Sequence, residues 1–192
     1  MKKFFLLFFT ICFAASIFAG AQSSDSIPSL LEDAERQEKI NTYLKLSQSK
    51  IGKIPNESAT SAKKALNLIN NSGKDSLLPK AYYLLGYAHY NQNNYDSAKF
   101  YFSKSLTYSR NLNLPPREAL ALNRLGNTFQ LMGSYDKALS YYQKALQINQ
   151  EQNDNKEIAR SLTNIGSVYR TFGKYEKAIQ FHLRALSLFE ET

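Results

Sequence analysis

The chain has 192 residues, 43% of them hydrophobic, with 24 Lys and Arg against 16 Asp and Glu and a single cysteine. That length suits one elongated domain, and a lone cysteine excludes an internal disulfide or a thiolate metal site. The net charge of +8 is spread along the chain without a Lys/Arg block, which argues for solubility or an acidic partner and against nucleic acid.

Met1-Lys2-Lys3 is followed by sixteen mostly apolar residues from Phe4 to Ala19, then Ala19-Gly20-Ala21 and a polar turn at Gln22. Residues 1–21 read as an export signal cleaved after Ala21, so the mature chain is expected to be periplasmic or secreted. An uncleaved anchor is the alternative, because the run is only a little short of the roughly 17–25 residues of a spanning helix. The A-x-A site and the lack of aromatic or basic anchors after it favour cleavage. Contact with a membrane is then expected only through this segment, if it is retained. Cleavage removes Cys12 and two lysines, leaving 22 basic against 16 acidic residues, a net charge of +6. Residues 22–34 are expected to form a flexible leader.

From there the chain repeats. Gly86, Gly126 and Gly166 fall forty residues apart, each followed at the same offsets by Tyr95, Tyr135 and Tyr175 and then by Ala98, Ala138 and Ala178. A fixed period of this length marks stacked helical repeats. Each unit holds two stretches with apolar residues at helical spacing, joined by a turn at Asn93, Gly133 or Gly173, residue types that tolerate a left-handed conformation. The units span 79–115, 116–155 and 156–192, and a degenerate one covers 35–78, with helices near 32–47 and from Asn56, and with Leu46 at the glycine position. The repeat alanines are expected opposite the repeat glycines, where the helices of a hairpin come close. The fold class is therefore all-α, a right-handed α-solenoid of helix-turn-helix repeats.

A solenoid offers a surface rather than a catalytic pocket. No nucleophile elbow or phosphate loop occurs. His89 and His182, the two histidines, replace aromatics on packing faces and read as structural. No cofactor or metal is expected, and the segment reads as non-catalytic. At about 100° per residue, positions three and six before each glycine and one and four after it face the inside of the solenoid's curve. They are Lys80, Tyr83, Tyr87 and Tyr90; Leu120, Asn123, Asn127 and Gln130; and Arg160, Thr163, Ser167 and Arg170, with no acid among the twelve. Ordinary solvated positions are the bland reading. Tyrosine anchors, amides for a peptide backbone and guanidinium forks for carboxylates suit a peptide groove that favours acidic ligands.

Leu122, Leu125, Gly126, Phe129, Ala138, Tyr142 and Ala145 resemble the pattern of the tetratricopeptide repeat. Leu162, Ile165, Gly166, Tyr169, Ala178 and Ala185 carry it in the next unit, and Tyr82, Leu85, Gly86, Ala98 and Phe102 in the one before. Ser105 in place of alanine departs from the pattern, and forty residues exceeds the usual period of 34, as in the longer subtype of kinesin light chains. The resemblance implies a protein-interaction scaffold. It equally allows the sensor portion of an exported signalling protein that continues into a membrane helix and a histidine kinase. The family's lysine-and-asparagine clamp for terminal carboxylates is not reproduced, since Tyr83, Asn123 and Thr163 replace its lysine. The last helix carries Ile179, Phe181, Leu183, Leu186, Leu188 and Phe189, too wide an apolar arc for one partner helix, so self-association or continuation through this end is expected.

Overall fold

The computed structural model describes residues 26–70 and 75–190. Among these it holds eight α-helices, one short 3-10 turn (Asp75–Leu77) and no strand. The helices are α1 (Ser26–Lys50), α2 (Pro55–Asn70), α3 (Leu78–Asn91), α4 (Tyr95–Asn111), α5 (Pro115–Leu131), α6 (Tyr135–Glu151), α7 (Asn155–Thr171) and α8 (Tyr175–Glu190).

The chain divides into two compact units, one ending at Arg36 and the other starting at Gln37. In the first, the leader expected over 22–34 is helical from Ser26 on. A polar helix can persist there because Arg36 bonds Glu32 at 2.7 Å and Asp33 at 2.9 Å, one turn back, support that needs no buried face. Residues 22–25 and the proposed signal, 1–21, lie outside the described residues.

In the second unit α3/α4, α5/α6 and α7/α8 pair as hairpins, and the hairpins stack through α2 on α3, α4 on α5 and α6 on α7. The first helices also touch one another, α3 with α5 and α5 with α7. Stacking that draws first helices together places them on the inner side of the curve. This is an all-α solenoid.

Turn chemistry sets the hairpin period. Asn93, Gly133 and Gly173 end the first helices with φ of 58°, 75° and 71°, and Asn113 and Asn153 end α4 and α6 with φ of 50° and 53°. The same two hydrogen bonds close each of these ends. At α5, Gly133 N donates to Gln130 O at 3.0 Å and Ser134 N to Phe129 O at 2.8 Å, which satisfies carbonyls the helix leaves open. Some helices start on side-chain caps or prolines, whereas Ser134 before α6 makes no side-chain cap bond. Asn94 Oδ1 accepts from Ser97 N at 3.2 Å, Asp154 Oδ1 accepts from Glu157 N at 3.1 Å, and Pro115 and Pro116 open α5.

The close approach within each hairpin differs from the expected one. A Cβ built on Gly86, Gly126 or Gly166 would meet not an alanine but the ring of Phe102 (2.7 Å), Tyr142 (2.5 Å) or His182 (2.9 Å). Helical side chains lean toward the N-terminus, so a ring one turn beyond the repeat alanine reaches back over the glycine. The alanines are buried beside it. In the N-terminal hairpin, Leu46 does not occupy the glycine position. It is exposed, and Ser47 is buried instead, its hydroxyl 3.0 Å from that of Ser58, which also donates to Ser47 O at 2.9 Å. A leucine is too large for the slot, and a turn of α1 by one residue, about 100°, brings a small side chain there. Ser105, the departure from alanine in α4, is also buried and donates to Pro79 O at 2.8 Å, so its polarity is satisfied.

Candidate interaction surface

The inner row of first helices carries its strongest chemistry at α3. Tyr83, Tyr87 and Tyr90 follow the helix face in edge-to-face contacts, with centroids 6.2 and 6.1 Å apart, and Tyr90 continues to Tyr95 at 6.0 Å. Such pairs are favoured because positive ring edges meet negative ring faces. Arg124 reaches across from α5 onto this row. Its guanidinium carbon lies 4.1 Å from the Tyr87 centroid and its Nε donates to Tyr83 Oη at 3.0 Å. Burial works to lower the Arg124 pKa, but Tyr83, Tyr87 and Tyr90 more than offset it, so the group is shifted upward and stays charged. No carboxylate pairs with it among the described residues.

Beside this row a cavity of about 450 Å³ opens, lined by Gln48, Lys80, Tyr83, Tyr87, Arg117 and Leu120 among others, with no acid among the described residues of its wall. Among the described residues neither Lys80 nor Arg117 has an ion-pair partner. The structure thus brings together Lys80, Tyr83, Tyr87 and Leu120 of the twelve residues expected in a groove. Arg117 and Arg124 were not among the twelve, because the offsets treat each repeat alone. The usable signal was a cation one repeat downstream of a tyrosine row.

The other positions serve differently. Asn127 Oδ1 and Gln130 Oε1 lie 2.7 and 2.8 Å from the Tyr142 hydroxyl, whose proton they share. Burial pushes the Tyr142 pKa upward. Asn123 is not a groove residue. It is buried and bonded to Ser161 at 3.2 Å, and Ser161 in turn accepts from Asn149 at 3.2 Å, a network joining α5, α6 and α7. Arg160 is not a free charge, because Glu157 one turn back pairs with it. Thr163 and Ser167 donate to carbonyls of their own helix at 2.9 and 3.0 Å. Arg170 is exposed at the end of α7.

Both histidines sit in packing positions. His89 stacks on Tyr101 at 5.3 Å, as Phe129 does on Tyr141 and Tyr169 on Phe181 in the later repeats. Burial, with Lys63 nearby, lowers the His89 pKa, so the ring is neutral at pH 7. Among the described residues no three His, Cys, Asp or Glu side chains converge as a metal site would require.

Stacked hairpins locked glycine-to-ring, presenting a row of side chains on their inner helices, define a helical-repeat interaction protein. The chain belongs to the tetratricopeptide repeat family: models of that repeat match residues 79–112 and 117–191. No curated protein matches it by sequence. Among solved structures it is similar to MamA, with 27% identity over 79% of each chain and a TM-score of 0.61. Aspartyl phosphate phosphatase F from Bacillus subtilis shares its fold at 20% identity and a TM-score of 0.77, over 81% of this chain and 41% of that one. A Rap protein complexed with competence and sporulation factor does so at 19% and 0.71, over 81% and 44%. The chain spans less than half of each of these last two proteins.

Proposed function

We propose that this chain is a non-catalytic scaffold that binds an extended acidic segment of a partner protein along its inner first-helix row, outside the cytoplasm. The observation that carries this reading is the cavity at α3 and α5, where Lys80 and Arg117 have no counter-ion among the described residues and stand beside the Tyr83–Tyr87 row. Hydrogen bonds to charged groups contribute about 1.5–3 kcal/mol each. A carboxylate that reaches two such cations while an apolar neighbour lies on tyrosine therefore gains both affinity and register. The fold supports the reading, since a Rap protein of the same architecture is complexed with a factor.

The test is fluorescence anisotropy with paired peptides that differ only in carrying Glu or Lys beside a leucine. Binding should favour the acidic peptide by about tenfold or more and should weaken as salt rises. Lys80→Glu combined with Arg117→Glu should reverse the preference with helix content unchanged. Equal affinities for both peptides in the unaltered protein would reject the site. Export has its own measurement: mass spectrometry of protein recovered outside the cytoplasm should show Gln22 as the first residue. An intact N-terminus held in the membrane fraction would establish an anchor instead.

A further inference from the structure

Lys64, Lys104, Lys144 and Arg184 fall forty residues apart, one on each of α2, α4, α6 and α8, and all four are exposed. Each is held over an aromatic ring: Lys64 over Tyr43 at 5.5 Å, Lys104 over Phe100 at 5.8 Å, and Lys144 over Tyr141 and Arg184 over Phe181 at 5.9 Å. A cation resting on a ring face keeps its charge and loses much of its freedom to wander. Among the described residues none of the four has an ion-pair partner. The acids of these helices stand at the ends, Glu57, Asp96, Asp136 and Glu176 in the first turns and Glu151 and Glu190 at the last residues. The stretches 60–67, 100–107, 140–147 and 180–187 contain none. Three residues after each cation comes an exposed neutral side chain with an oxygen that can accept a hydrogen bond: Asn67, Thr107, Gln147 and Ser187.

We propose that this basic band is a docking surface for a linear polyuronate, a polysaccharide with a carboxylate on each sugar. Charge complementarity selects a polyanion, because cations in series without internal counter-ions attract one acidic chain more strongly than scattered acids. The row of neutral acceptors selects a sugar chain among polyanions, since a polyuronate brings hydroxyl donors to the same line as its carboxylates. A bilayer suits the band less well. The rings lie beneath the cations, and Phe100, Leu183 and Leu186, the exposed large hydrophobics of the four stretches, stand on α4 and α8 with α6 between them. No continuous apolar strip is left to enter lipid. The proposal does not rest on the inner-row reading, which concerns other helices and other cations.

Fluorescence anisotropy with labelled polygalacturonate tests this, in the unaltered protein and in the form carrying Lys80→Glu and Arg117→Glu, which reverses the charge of the inner cavity. Both should bind the polymer, so failure of the inner-row site leaves this one standing. Fully methyl-esterified polygalacturonate, with the same sugars and no charge, should not bind. Lys104→Gln combined with Lys144→Gln should weaken binding by about tenfold or more. The fall of log affinity with log salt should also become shallower by about 1 for each cation lost, with helix content unchanged. Lys104→Arg combined with Lys144→Arg should keep both affinity and slope. Absence of polymer binding, or equal affinity after the glutamine pair, overturns the proposal. So does polyglutamate of matched length binding the Lys80→Glu, Arg117→Glu form as tightly as the sugar polymer, since the band then reads charge alone. Vesicles rich in phosphatidylglycerol that bind where the polymer does not would make a lipid surface the occupant and overturn it equally.

Discussion

Tyr142→Ala should lower the unfolding free energy by about 3–5 kcal/mol, the range for removing a fully buried aromatic ring. Tyr142 is 0% exposed and its ring fills the space that Gly126 leaves, so close that a Cβ on Gly126 would lie 2.5 Å from it. The converse substitution is coupled to it. Gly126→Ala gains about 1 kcal/mol of helix propensity but forces a fixed, buried ring to move, an overpacking cost of about 1–3 kcal/mol. Alone it should destabilise. In the Tyr142→Ala background the clash is gone, and the same Gly126→Ala should become neutral or stabilising. Urea unfolding of the two single variants and the double variant gives the coupling directly, and strictly additive effects would show that glycine and ring are not in contact.

That pairing marks the boundary of what the sequence discloses. The forty-residue spacing of the glycines, and of Asn93, Gly133 and Gly173 at the turns, places the three hairpins from α3 to α8, because period and left-handed turns are properties of the chain itself. Which residue faces the glycine is not such a property. It depends on the lean of side chains along α4, α6 and α8, and this lean selects Phe102, Tyr142 and His182 over the alanines one turn earlier. Leu46 illustrates the same limit: copying the period onto α1 assigns it to a slot, but volume decides, and α1 turns to supply Ser47.

The inner row was legible as a row but not as a site. Offsets from the glycine identify which side of a first helix faces inward, and Tyr83, Tyr87 and Leu120 lie where they indicate. They are blind to neighbours. Glu157 lies outside the chosen offsets yet pairs with Arg160, and Ser161 and Asn149 draw Asn123 into the inter-repeat contact. Conversely, Arg124 stands at an unselected offset and becomes central only because α5 stacks beside α3, which brings its guanidinium onto the Tyr87 ring.

Arg124 therefore carries the second large effect. Its Nε is committed to Tyr83, while a guanidinium's other N–H groups fan out in the same plane and can meet a carboxylate as a fork. Arg124→Gln should reduce affinity for the acidic peptide by about tenfold, equivalent to 1.4 kcal/mol, and should destabilise the fold by about 1–2 kcal/mol through the lost stack on Tyr87. Arg124→Lys separates the two roles. It keeps the charge, so part of the salt-dependent binding should return, but a point charge on a flexible stem cannot reproduce both the flat stack and the Tyr83 bond. The melting midpoint of Arg124→Lys should accordingly remain below that of the unaltered protein while its acidic-peptide affinity lies between those of the unaltered and Arg124→Gln forms. If Arg124→Gln instead lowers the midpoint and leaves acidic-peptide affinity untouched, the guanidinium only props the tyrosine row and recognition rests on Lys80 and Arg117 alone.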